Sequence, residues 1–99
     1  MLKKRFFKTK QEVEVAFELT HEAAGQVALL CEANGWDPIE MKQDKRGRFR
    51  AKLRLPKERK FQFRYLVDGT TWTNDEEADG YCRNQFGGEN GILDTSPSA

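Results

Sequence analysis

Little in this chain could build a catalytic or metal centre. It has two cysteines, Cys31 and Cys82, one histidine, His21, and three prolines. Two cysteines cannot make a disulfide framework, although one bridge is possible, and with no secretory signal they read as free thiols of a reducing compartment. The opening Met1-Leu2-Lys3-Lys4-Arg5-Phe6-Phe7 starts like a signal peptide but continues into Lys8-Thr9-Lys10-Gln11-Glu12, where an apolar run would be needed. No stretch reaches the length of a transmembrane helix. His21 has no cysteine or second histidine at ligand spacing, which argues against a metal site. Also missing are a nucleophile elbow and a phosphate-cradling glycine loop between strand and helix. The expectation is a cytoplasmic, non-enzymatic chain with no cofactor and no metal.

Neither sign of charge prevails, since 17 Lys and Arg against 16 Asp and Glu leave a formal +1. Net charge therefore gives no drive toward nucleic acid or membranes. The distribution is uneven: residues 42–64 hold 11 basic and 2 acidic side chains, whereas residues 65–99 hold 1 and 7. Hydrophobic residues make up 37% and charged ones 33% of 99 residues. One domain fits that length, with a core built from two-faced elements.

What is present is alternation. Residues 60–67 place Phe61, Phe63, Tyr65 and Val67 against Gln62, Arg64 and Leu66, the period-2 pattern of a half-buried strand. Val13, Val15, Phe17 and Leu19 alternate with Glu12, Glu14, Ala16 and Glu18, and Phe49, Ala51, Leu53 and Leu55 with Arg48, Arg50, Lys52 and Arg54. Residues 26–32, 39–42, the segment around Trp72, and Ile92-Leu93 supply shorter runs, and no long segment keeps a helical period. About seven short strands with regular turn signals predict an all-β sandwich. Its core should contain Phe17, Leu29, Phe49, Leu53, Phe61 and Phe63. Residues 1–11 read as a basic arm with Phe6 and Phe7 tucked against the edge, residues 12–94 as the domain, and residues 95–99 as a frayed, disordered tail. The acidic run Asp75, Glu76, Glu77 and Asp79 reads as a solvated loop.

The row Arg48, Arg50, Lys52 and Arg54 invites a nucleic-acid reading. No exposed aromatics interleave with it to stack bases, however. The glutamates of the first strand could lie opposite, so register-setting charge pairs carry more weight than phosphate contact.

Two tryptophans stand in polar settings, Asn34-Gly35-Trp36-Asp37 and Thr71-Trp72-Thr73-Asn74. Either could fill the core. An exposed pair of flat rings with amide and guanidinium donors nearby would instead suit a sugar, whose C–H face stacks on indole while its hydroxyls need hydrogen-bond partners. The residues alone leave both readings open.

Residues 27–36, Gly47-Arg48-Phe49, Phe63-Arg64-Tyr65-Leu66-Val67-Asp68-Gly69, Trp72-Thr73-Asn74-Asp75 and Asn84-Gln85-Phe86-Gly87-Gly88-Glu89-Asn90 together resemble carbohydrate-binding module family 48. This family includes the glycogen-binding domain of AMP-activated protein kinase β subunits and the N-terminal early set domain of isoamylases and branching enzymes. The resemblance spans roughly residues 13–94. It implies an immunoglobulin-like, early set β-sandwich that binds α-1,4-linked glucan (glycogen or a maltooligosaccharide) without catalysis. A glycogen-metabolising enzyme would be a second partner. By resemblance, Trp36 and Trp72 would be stacking platforms, Arg64 the basic contact, Asn90 an amide contact, and Phe86 an apolar residue reaching into the sugar chain. The chain departs from the pattern at Cys31, Ala33, Glu76 and Arg64, where Gly, an aromatic, Pro and Lys are usual. The alternative is an early set domain for protein interaction or regulation that has lost its sugar.

Strand parity makes one further expectation. A two-residue Asp68-Gly69 turn would pair Tyr65 with Trp72 and send the indole inward. A loop of Val67-Asp68-Gly69 would pair Arg64 with Trp72, and a loop of Asp68-Gly69-Thr70 would pair Leu66 with Trp72 on Arg64's face. An odd-length loop or equivalent bulge is expected, with Trp72 partly exposed beside Arg64.

Overall fold

Alternating runs become paired strands in the computed structural model, which describes residues 1–8, 11–21 and 23–97. Among these residues ten strands form: β1 Leu2–Phe6, β2 Glu12–Thr20, β3 Val27–Cys31, β4 Ile39–Glu40, β5 Lys42–Gln43, β6 Arg48–Pro56, β7 Lys60–Val67, β8 Thr71–Thr73, β9 Gly80–Arg83 and β10 Glu89–Asp94. One sheet has the order β1-β2-β6-β5, and the other the order β4-β3-β7-β10-β9 with β8 also paired to β7. All pairs are antiparallel. The result is an all-β sandwich of two antiparallel sheets.

Inward residues of both sheets meet in one core. Val13, Val15, Phe17, Leu29, Phe49, Phe63, Tyr65 and Leu93 are all buried. Phe63 lies edge-on to Phe17 and to Tyr65, with ring centroids 5.3 and 5.8 Å away. Its ring also covers Gly91, its register partner, where an added Cβ would meet a ring carbon at 3.2 Å. Leu53 and Phe61, expected inside, are only partly buried and pack against the margin of this core.

The strand count exceeds the expected seven for identifiable reasons. Residues 39–42 split at Met41, which is buried and donates its N–H to Val27 O at 2.8 Å while the chain passes from one sheet to the other. The arm expected at residues 1–11 is largely a strand, since β1 pairs with β2 from Leu2↔Phe17 to Phe6↔Val13. Lys4 stands in the apolar register between Leu2 and Phe6 and disguised the alternation; its ammonium reaches Asp79 at 2.6 Å. Phe7 does tuck against the edge, beneath the guanidinium groups of Arg5 and Arg54. Thr9 and Lys10 lie outside the described residues. Residue 95, expected to open a frayed tail, is instead held in the fold. Thr95 is buried, its hydroxyl accepts from Arg59 N at 3.0 Å and donates to Pro56 O at 2.8 Å. Ser98 and Ala99 lie outside the described residues.

The acidic run is not uniformly solvated either. Asp75 is buried, accepting from the Tyr65 hydroxyl and the Glu77 N–H, each at 2.8 Å, and from the Met1 amino group. Burial, with the Asp75 carboxylate beside it, pushes the Tyr65 phenol far above its ordinary value. Asp79 is also engaged, by Lys4 and by Asp94 N.

Candidate functional site

Three separate local devices aim side chains at one spot on the outer face of the sheet containing β7. The first follows β3. A 3-10 turn, Glu32–Asn34, ends at Gly35 and Trp36, whose φ values are +73° and +65°. Their N–H groups bond back to Glu32 O and Cys31 O at 3.1 and 3.0 Å. A left-handed conformation is natural for Gly but strained for a bulky residue such as Trp. This turn holds the Trp36 indole out of the core, 38% exposed.

The second device is the β7–β8 hairpin. Asp68 and Gly69 both have positive φ, and Thr70 N bonds Val67 O at 3.1 Å, as a type I′ turn requires. Thr70 is nevertheless an extra residue, because Val67 pairs with Thr71 and Leu66 with Trp72. The odd loop is therefore Asp68-Gly69-Thr70, and it turns Trp72 outward, 47% exposed. The Asp68 carboxylate pins the hairpin by accepting from Gly25 N and Gln26 N, both at 2.9 Å.

Arg64 projects from the middle of β7 on the same side. Its guanidinium carbon stands 5.2 Å from the Trp72 ring centroid, a cation–π contact. Its Nε is buried without a hydrogen-bond partner, and among the described residues no carboxylate pairs with it.

The third device is the β9–β10 connection. Asn84 Oδ1 accepts from Phe86 N at 2.9 Å and Gly88 N at 3.1 Å, and Asn84 N bonds Gly88 O at 2.9 Å. The loop wrapped on this carboxamide leaves Phe86 85% exposed at its tip. Asn90 is only 8% exposed. Its Oδ1 accepts from Asn84 Nδ2 at 3.2 Å, and its Nδ2 donates to Gln62 Oε1 at 2.8 Å.

These devices converge. A cleft of about 570 Å³ is lined by Trp36, Arg64, Trp72, Asn84, Phe86 and Asn90. All five residues singled out in the sequence are there. The sixth, Asn84, was missed as a site residue, although an Asn followed two and four residues later by the N–H groups of a Gly-rich loop is a recognisable side-chain turn signal. The lining combines flat apolar rings, one unpaired cation and two carboxamides, which suits an uncharged polar ligand with flat apolar patches.

Compared with known proteins, the chain matches no family model and no curated protein sequence.

A second cleft, of about 530 Å³, includes Met1, Glu18, His21, Arg48 and Asp75. Its buried carboxylates face partners: Glu18 is ion-paired with Arg50 at 3.0 Å and Lys3 at 3.5 Å, though its Oε1 makes no hydrogen bond, and Asp75 is held as described above. Among the described residues no group of three or more His, Cys, Asp or Glu is placed to hold a metal ion, and no helix is long and apolar enough to cross a membrane. Cys31 and Cys82 are unpaired, and burial pushes the Cys31 thiol up.

Proposed function

We propose that this chain is a non-catalytic module that binds α-1,4-linked glucan, with Trp36 and Trp72 as stacking platforms and Arg64 and the carboxamides as hydroxyl contacts. One observation carries the reading: five residues scattered from position 36 to position 90 line a single open cleft. Stacking on indole is non-polar and tolerant of chain length, while guanidinium and amide donors satisfy hydroxyl oxygens that would otherwise be desolvated. The resemblance to carbohydrate-binding module family 48 supports the choice of glucan over other polar ligands. Phe86, almost fully exposed, would press against the edge of the bound sugar chain.

Native electrophoresis in gels with and without glycogen tests this directly. Wild-type protein should be retarded by glycogen. Trp36→Ala and Trp72→Ala should each lose most of that retardation while keeping the β-rich circular dichroism spectrum of the parent. Retardation that survives the loss of Trp36 would remove the site. A wild-type chain that runs unretarded would leave the exposed rings as a protein-interaction surface on an early set domain.

A further inference from the structure

The hydrogen-bond polarity of the cleft is set by backbone groups of the β9–β10 loop. Asn84 Oδ1 already accepts two N–H groups, from Phe86 and Gly88. Only its Nδ2 can therefore face Asn90, which must present Oδ1 in reply. Asn90 is then obliged to turn Nδ2 toward Gln62, which must present Oε1. Two loop N–H groups thus dictate the orientation of three successive carboxamides. The relay has an anchor at its far end, because Gln62 N donates to Glu32 Oε1 at 3.1 Å, in the turn that carries Trp36.

The consequence lies in what remains for a ligand. Indole N–H and guanidinium are donors only. Both lone pairs of Asn84 Oδ1 are used, and Asn90 Oδ1 is engaged by Asn84. Among the cleft side chains nearly all acceptor capacity is consumed internally, while the Arg64 donors, with Nε buried and unmet, stay free. We propose that the relay makes this a donor cleft, selective for ligands rich in oxygen acceptors and closed to cations, and that Gln62 is its positioning residue. Gln62 does not line the cleft; it acts by holding Asn90. The inference rests on the glucan reading for the identity of the ligand, and on the hydrogen bonds alone for the polarity.

Two substitutions separate an acceptor role from a structural one. Gln62→Met keeps the length of the side chain and removes the acceptor; Gln62→Glu keeps an acceptor facing Asn90. With maltoheptaose as probe, Gln62→Met should weaken binding about fivefold, the equivalent of one typical hydrogen bond, and Gln62→Glu should stay within about twofold of wild type. Thermal stability should fall modestly in Gln62→Met, which leaves the buried Asn90 Nδ2 unmet, and hardly move in Gln62→Glu, with the β-rich circular dichroism spectrum kept in both. Wild-type affinity in Gln62→Met, or equal loss in both variants, would overturn the proposal. Should the wild type bind no maltoheptaose, the glucan reading fails by itself. The relay is then judged by amide hydrogen exchange at Phe86 and Gly88. Faster exchange in Gln62→Met but not in Gln62→Glu upholds it, and unchanged exchange in both overturns it.

Discussion

Arg50 and Arg64 both point outward from the middle of a strand, one on each face of the sandwich, and their surroundings could hardly differ more. Arg50 lies on β6 opposite Glu18 of β2 and forms an ion pair with its carboxylate at 3.0 Å. Lys3 reaches the same carboxylate at 3.5 Å, and Lys52 reaches Glu14 at 3.7 Å. That face is a column of glutamates between columns of cations. Arg64 has an indole for a neighbour, and its buried Nε meets no acceptor among the described residues. A face whose charges are mutually satisfied needs no ligand, and its pairs mainly fix register and discourage edge association. A face that leaves a guanidinium unmet beside exposed rings has capacity to spare for one. The same outward arginine therefore means different things, and only its cross-strand neighbours tell which.

The largest expected effect removes what both faces share. Phe63 is fully buried between the sheets, so Phe63→Ala should destabilise the fold by about 3–5 kcal/mol in chemical denaturation. A loss below about 1 kcal/mol would mean that the two faces do not rest on a common core.

The comparison itself is sharpened by matched substitutions. Arg50→Gln should leave glycogen retardation unchanged and cost on the order of 1 kcal/mol, a modest figure because the Arg50 side chain is 43% exposed while Lys3 still attends Glu18. Arg64→Gln should do the reverse, weakening retardation several-fold with little loss of stability, since no ion pair is broken. The weakened binding should depend only mildly on salt because the proposed ligand is neutral. Matching effects on retardation from the two substitutions would erase the distinction.

The smallest effect concerns pH. The Asp44 carboxyl is held below its ordinary value of 3.8, first by the Arg48 backbone N–H, then by that of Arg46 and by the Arg48 side chain. A depressed carboxyl contributes stability that is complete above its unfolded value and drains as pH falls through its folded one. Stability of the wild type should thus decline on acidification below 3.8, and the decline should be slightly shallower in Asp44→Asn. Since Asp44 orders the turn into β6, on the charged face, acid should leave glycogen retardation less affected than stability. Identical acid limbs in parent and variant would remove Asp44 from the account.

Much of this was legible in advance, and the failures have causes. Phe17, Phe49 and Phe63 could be assigned inward because period-2 alternation belongs to the strand alone. Counting residues in the hairpin reduced the direction of Trp72 to the parity of its loop, and the structure has the odd loop that turns it outward. β1 escaped notice because Lys4 occupies an apolar register position and is neutralised by Asp79, a residue far along the chain. Asp75 looked solvated because its partners, Tyr65 and Met1, lie at other places in the sequence. Asn90 stood out as a ligand contact, yet its burial and its two amide partners make it as much a strut as a contact.

By itself, then, the order of residues determined the longer strands and which way their side chains alternate, since alternation and turn chemistry act over a few neighbouring positions. It also determined that Trp36 and Trp72 stand at turns able to hold an indole outside. Tertiary structure decided what those rings meet. Trp36, Arg64, Trp72, Asn84, Phe86 and Asn90 share a cleft only because β3, β7, β8, β9 and β10 are brought side by side in one sheet. The direction of each carboxamide was decided there as well, because a hydrogen bond is oriented by the partner it finds, and these partners come from strands that are distant along the chain.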